Sequence, residues 1–424
     1  MFKRIIILLS IVFSICQGIN AQEFVVKHKS FIPIDFSAYK KENFKFLDSL
    51  LLDNETVLLG EGLHNFSDDT ESKLMIIRFL HEELGYNLIL FENSFYDYWD
   101  LNKSLGIVNG FDDTLSKYTL RSYFSKGKYD IIKYINDCKA KGDTIDIGGI
   151  DIWTTYDNEL RHFLWFVTNN RRYINPKYVD LIITKENKRV ELKSITSLPD
   201  SIINNMFVTE DLNKLWRRIY DNYKISYQYD IETQNYYKKH PNVKIRDSVI
   251  VSDDYRQRDS MMFANYQYLN NIYKTKSIVL ISNFHVRKSL EPFLSNPLVG
   301  NNTIPFGSYF IKNNISSYHI ASVSYKVENY KKNRIFIKYF KRDRNSFERY
   351  LRKKFGYDGF VELKEVKHIG DSTYIMYPVW RFKTKGDWKK AYDALIYLDK
   401  IKVSTTKVYS RKDKSVIYQD QKMD

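Results

Sequence analysis

Cysteine is nearly missing from this chain. Only Cys16 and Cys138 occur, and Cys16 falls within the leader described below. A single remaining thiol excludes an intramolecular disulfide framework, so stability has to come from a buried core. Proline and glycine are scarce too, at 8 and 16 in 424 residues, which excludes long flexible linkers. There is no internal repeat and no low-complexity tract. The longest apolar run, Ile5–Cys16, is too short to span a bilayer comfortably as a helix. No G-x-S-x-G elbow is present, which disfavours a serine nucleophile of the usual α/β-hydrolase kind. Nor is there an H-E-x-x-H helix or other tight metal spacing.

What is present describes a folded protein. The chain is 43% apolar and 16% aromatic, with 34 Tyr, a composition that argues against disorder. Its length suggests two or three domains, or one large domain carrying an insertion. Lys3 and Arg4 precede the apolar run, and a more polar stretch ends at Ala21. This is the three-part form of a secretory signal peptide over 1–21, and it predicts a secreted or periplasmic protein cleaved near Ala21. Acylation at Cys16 is the rival reading, but Ile15 stands where a small residue is expected. Between Lys326 and Lys354 twelve Lys/Arg face three acids, within a formal charge of +15. With an export signal and no binding motif, this predicts a solvated face or loose attraction to anionic envelope surfaces, and no nucleic acid.

Four short apolar runs read as buried strands: Thr56–Gly60, Asn87–Glu92, Thr144–Asp151 and Ser277–Ser282. The first, second and fourth lack the period-2 alternation of half-exposed strands, as expected where helices cover both faces of a sheet. The third alternates at its start, which places it nearer an edge. Between the first two lies a helix with N-cap candidates Asp68, Asp69 and Thr70, a core stripe of Leu74, Ile77, Leu80 and Leu84, and a stop at Gly85. Strand, helix and strand make a βαβ unit, hence a partly parallel sheet. The expected fold is α/β, a partly parallel central sheet flanked by helices with an inserted helical subdomain. Residues 22–157 and 273–403 form the α/β part, 158–272 the insert and 404–424 a polar tail. GSYFI and YHIASVSY read as further strands, and VIYQ as a candidate edge strand.

In open parallel sheets, ligands bind outside the carboxyl ends of the strands. Here those ends carry Glu61 and His64, Glu92, Asp151, and Asn283 with His285, two of the chain's eight His. His81 falls on the apolar side of its helix and reads as a core or boundary residue. His28, His162, His240, His319 and His368 have no companions and read as structural. Cys138, at helical spacing, reads as a packed thiol.

The segment LLGEGLHNFSDDTESKLMIIRFLHEELGYNLILFENSF resembles the opening of the erythromycin esterase-like hydrolase family. The shared features are the G-E-x-x-H turn (Gly60, Glu61, His64), Arg78 in the following helix, the Gly85-Tyr86 break and the strand ending in Glu92. Further matches are Gly149–Asp151, the run Arg258-Asp259…Met262…Asn265, Asn283–Val286 and Gly307–Tyr309. Three positions depart from the family pattern. Asn65 stands for Gly, Ser282 for the first His of H-x-x-H, and Lys73 for a basic residue that is often Arg.

The resemblance implies an esterase-like hydrolase acting on an ester or lactone-like bond of a small molecule. In that reading His64 takes a proton from the attacking water while Glu61 orients its imidazole. His285 assists as second acid/base or oxyanion donor, with Glu92 as a further catalytic carboxylate. Lys73, Asp151, Asn283 and Arg78 contribute to substrate binding. No cofactor is expected; the variant is a divalent cation held among Glu61, His64, Glu92, Asp151 and His285. The alternative from another class is a non-catalytic envelope protein that binds a ligand in the same cleft.

Overall fold

The computed structural model describes residues 24–26, 30–62, 67–119, 126–152, 166–167, 170–178, 198–239, 252–289, 304–328, 346–368, 374–379, 382–402, 405–410 and 415–420. The leader at 1–21, His64 and most of the basic stretch lie outside them. No helix among the described residues is long and apolar enough to cross a membrane.

Eight strands form the central sheet: β1 (Phe31–Pro33), β2 (Thr56–Glu61), β3 (Tyr86–Ser94), β4 (Asp146–Asp151), β5 (Lys276–Ser282), β6 (Ser317–Glu328), β7 (Gly359–Glu362) and β8 (Ala394–Lys402). Their order is β1-β7-β8-β6-β2-β5-β3-β4. The six strands from β8 to β4 run parallel, and β7 and β1 close one edge antiparallel. The fold is α/β, as expected, and β4 is an edge strand as its alternation suggested. Lys276–Ser282 enters between β2 and β3. This insertion sets the residues after β5 between the ends of the two strands that carry Glu61 and Glu92.

Side chains of one strand alternate between two separate cores. Val57, Leu59, Ile89, Phe91, Ile147, Ile278 and Ile320 belong to the first, while Leu58, Leu88, Leu90, Ile150, Val279, Ile281 and Ala321 belong to the second. Both sheet faces are therefore dry, which explains why the inner strands are apolar without a period of two. The first core is completed by α1 (Ser67–Leu84) and by α4 (Lys126–Ala140), which follows α2 (Phe95–Lys103) and α3 (Phe111–Thr119). The second is completed by α5 (Glu210–Lys239), α6 (Ser252–Tyr273) and α8 (Phe306–Lys312), with α7 (Asn283–Val286) just after β5. Within 158–272 the described residues are mainly helical, with an isolated antiparallel bridge between Ile174 and Phe207. The last helix of this segment packs on the sheet, and Met262, Phe263, Tyr266 and Leu269 share the core with the strands.

Three local expectations need correction. In α1 the buried stripe is Lys73, Ile76, Ile77 and Leu80, whereas Leu74 and Leu84 are only partly buried. The helix does stop at Gly85, whose φ of 72° suits glycine. GSYFI is helical, in α8, rather than a strand. Pro305 precedes its first turn, and Phe306 and Phe310, one turn apart, both pack on Tyr266 and Phe263. The polar tail forms an antiparallel ribbon, Thr405–Ser410 with Ser415–Asp420, so VIYQ pairs within the tail and not at the edge of the main sheet.

His319 on β6 is fully buried, with Nδ1 2.6 Å from the carbonyl of Val286 and Nε2 2.9 Å from Ser317 Oγ. A neutral ring donating from Nδ1 and accepting at Nε2 satisfies both. Burial pushes its pKa down from 6.5 to about 4. Below 6.5 the unfolded chain binds a proton that the folded chain refuses. This contribution to stability is therefore complete above pH 6.5 and is lost as the pH falls toward 4, by up to about tenfold in the unfolding constant per unit. Urea unfolding at pH 7, 6 and 5 should show this loss in the parent chain and a shallower one in His319→Gln; equal slopes would exclude His319 as its source.

Candidate active site

The carboxyl ends of β2, β5, β3 and β4 lie side by side, and each delivers a polar group. Glu61 is opposite Ser282 in the β2–β5 register. The main-chain N–H of Ser282 donates to Glu92 Oε2 at 2.7 Å, tying the end of β5 to that of β3. Gly60 has a packing reason to be glycine: a Cβ there would lie 2.1 Å from Asn283 Oδ1.

At the centre is Arg258, from the first turns of α6. Its Nε and Nη2 donate to the two oxygens of Asp151 at 2.9 and 2.7 Å, and Nη2 also donates to Glu92 Oε1 at 2.9 Å. Its Nη1 lies 3.1 Å from His285 Nε2. A guanidinium only donates, so Nε2 of His285 must accept there and the ring proton sits on Nδ1. Nδ1 in turn lies 2.7 Å from Asp259 Oδ1, a close contact whose angle falls short of a well-directed hydrogen bond. Asp259 Oδ2 accepts the main-chain N–H of Phe306 at 2.9 Å, which anchors it to the start of α8. Asp259, His285, Arg258 and the carboxylates of Glu92 and Asp151 thus form one connected network.

The network is layered. Glu61, Glu92 and Arg258 keep 13%, 11% and 12% of their side-chain surface exposed, so they front the solvent. Asp151, His285 and Asp259 lie buried behind them. On the other side Lys73, on the buried stripe of α1, is 3.1 Å from Asp69 Oδ2 and 3.9 Å from Glu61 Oε2. Burial pushes the Asp69 carboxyl above its ordinary range while the Lys73 ammonium draws it back. Five carboxylates (Glu61, Asp69, Glu92, Asp151 and Asp259) therefore meet two fixed cations, Lys73 and Arg258, so the surround is acidic.

The expected residues are placed as follows. Glu92, Asp151 and His285 meet through Arg258, and Glu61 pairs with Lys73 one strand away. His64 lies outside the described residues. Asn283 adjoins the cluster but faces the sheet: fully buried, its amide bonds both the N–H and the carbonyl of Ser322, at 3.0 and 2.6 Å. That makes it a clamp on β6 rather than a group presented to substrate. Arg78 is not brought to the site; it pairs with Glu82 at 3.3 Å and stacks 4.0 Å over Tyr39. The space that a divalent cation would take between Glu92, Asp151 and His285 is filled by the Arg258 guanidinium. Arg258 and Asp259 themselves were not picked as site residues from the sequence. The available signal was an Arg-Asp pair at the start of a helix, in a run that matched the family.

The fold has well-defined relatives. The erythromycin esterase EreC, as a mutant in its open conformation, superposes with a TM-score of 0.61 at 15% identity, over 85% of this chain and 94% of that one. The fold is that of an erythromycin esterase. A Bacillus cereus protein gives 0.63 at 14% identity, and a succinoglycan biosynthesis protein 0.59 at 13%, each over 89% of this chain and 96% of the other. In sequence, the Bacillus subtilis protein YbfO, a hydrolase by name, is 23% identical over 284 residues. The match takes in 60% of this chain and 61% of YbfO, so the chain spans less than two thirds of that curated relative. No family model matches. These likenesses agree with the resemblance to the erythromycin esterase-like hydrolases that the Gly60–Glu92 segment carries.

Arg258 is the member whose removal does most damage. Arg258→Ala leaves Glu92 and Asp151 together without their shared cation and should cost about 3–5 kcal/mol of stability. Arg258→Lys keeps the charge but loses the fork that spans two carboxylates and an imidazole, so it should recover only part of that. Urea denaturation of the two variants beside the parent chain reads both effects; equal stability of all three would show that the network contributes nothing.

Proposed function

We propose that this chain is an exported hydrolase of the erythromycin esterase-like type, cleaving an ester or lactone-like bond of a small molecule. The observation that carries the reading is the meeting of Glu61, Glu92, Asp151 and His285 at four neighbouring carboxyl ends of a parallel sheet, at a solvent-facing edge. Parallel sheets gather loops at this end, and reaction chemistry collects there.

In this reading His64, three residues beyond Glu61, removes a proton from water as the water oxygen bonds to the carbonyl carbon. The proton passes from His64 to the departing alkoxide oxygen when the carbon–oxygen ester bond breaks, giving an acid and an alcohol. Glu61 orients the His64 ring and stabilises its cationic form, and Lys73 limits the negative charge around Glu61. The structure favours a changed role for His285. Its Nε2 is engaged by Arg258, so the imidazole holds the guanidinium in place, with Asp259 behind it. Arg258, at the solvent edge, is then the group that meets negative charge developing on the carbonyl oxygen. Glu92 and Asp151 fix the orientation of that guanidinium.

The engagement of His285 Nε2 and the presence of Ser282 also favour a second reading, a ligand-binding protein of the cell envelope that uses the same hollow without turnover. Export and the basic stretch over 326–354, taken as a weak contact with anionic envelope surfaces, are common to both readings.

A panel of short-chain nitrophenyl esters and macrocyclic lactones separates them. Hydrolysis is expected for at least one member. His64→Ala should lower its kcat by about 10²–10⁴-fold, Glu61→Gln should lower kcat with little change in KM, and a chelator should leave the rate unchanged. Binding without turnover, with affinity altered by His64→Ala, would establish the second reading; loss of turnover on chelation would restore the metal variant.

A further inference from the structure

At the opposite end of the sheet, three side chains converge that the proposed reaction does not use. Helix α1 carries the chain from the carboxyl end of β2 to the amino end of β3, and His81 lies in its last turn. Cys138 lies near the end of α4, and Asp143 in the turn that leads to β4. One ligand atom from each, a ring nitrogen, a thiol sulfur and a carboxylate oxygen, all lie within 4.8 Å of one another.

We propose that His81, Cys138 and Asp143 form a binding site for a divalent transition metal of the zinc type. The orientation of His81 supports this independently of the clustering. Its Nδ1 lies 2.9 Å from the side-chain oxygen of Asn87, an atom that only accepts, so the ring proton belongs on Nδ1. Nε2 faces Asp143 Oδ2, 3.1 Å away, and a proton on Nε2 makes that contact a hydrogen bond. A metal ion that takes the place of that proton meets two lone-pair donors, the ring nitrogen and the carboxylate oxygen. A ring whose second nitrogen donates to an oxygen is also how ligating histidines are usually fixed. The ring is further set by the Tyr134 side chain, which meets it edge to face at 6.1 Å.

The nitrogen–oxygen spacing suits tetrahedral zinc. With ligand bonds of 2.0–2.2 Å, nitrogen and oxygen ligands of one ion sit roughly 3.4 Å apart, and the His81–Asp143 separation of 3.1 Å is already close to that. The mixed nitrogen, sulfur and oxygen donor set selects zinc or cobalt over magnesium or calcium, which take oxygen. Three protein ligands leave a fourth position for water, and Asp143, with 53% of its side-chain surface exposed, gives the ion a route in from solvent. The site lies at the amino ends of the strands, away from Glu61 and Arg258. Its effect is to fasten the ends of two helices to the entrance of an edge strand.

The test uses the full chain, stripped with a chelator, kept reduced and titrated with Co²⁺. One equivalent should produce thiolate-to-cobalt charge-transfer absorption, which Zn²⁺ then bleaches. Cys138→Ser should abolish that band. Asp143→Asn, at an exposed position that the core does not need, should weaken the apparent affinity by about tenfold or more. Absence of the band at one equivalent, its persistence in Cys138→Ser, or unchanged affinity in Asp143→Asn would each overturn the assignment.

Discussion

The Arg258 guanidinium holds three groups from three different strand ends. It spans Asp151 from β4, Glu92 from β3 and His285 just after β5, at 2.7 to 3.1 Å. Without it, Glu92 and the buried Asp151 would face each other with no guanidinium between them. Its planar fork fixes directions as well as charge, which a lysine ammonium does not. Because the fork needs both carboxylates, it also fixes where α6 sits on the sheet, and Asn265 reinforces that seat by donating to the carbonyl of Ile150 at 2.8 Å.

The rest of the site is built backwards from this constraint. Asp259, the next residue on α6, reaches His285 from behind and is held by the start of α8. Glu92 accepts from both Arg258 and the main chain of Ser282, so β3 and β5 cannot part at their ends without breaking the network. Lys73, one of the most buried charges in the first core, plays the corresponding part for Glu61 and Asp69. Each cation thus organises two carboxylates.

Much of the scaffold was legible in the sequence because apolar pattern and burial are local consequences of one another. The four strands read from apolar runs stand within two residues of where those runs fall, and the edge position of β4 followed from its alternation. GSYFI misled because so short a stretch fits either a strand or a helix, and only the packing of Phe306 and Phe310 against α6 decides between them. The α1 stripe was misread for a related reason. Lys73 is inward because acidic partners await it, and a lysine ordinarily signals a solvated face.

The sequence by itself determined that strand ends would carry Glu61, Glu92, Asp151 and His285, since polar residues that interrupt apolar runs mark where strands stop. It also determined the α/β class, through strands too apolar to have a wet face. Tertiary structure alone decided that β5 enters between β2 and β3, that Arg258 occupies the centre, and that His285 presents its Nε2 to a cation. Those outcomes depend on contacts between residues as much as 221 positions apart. No local periodicity encodes such a distance; it is set by how two helix layers close over one sheet.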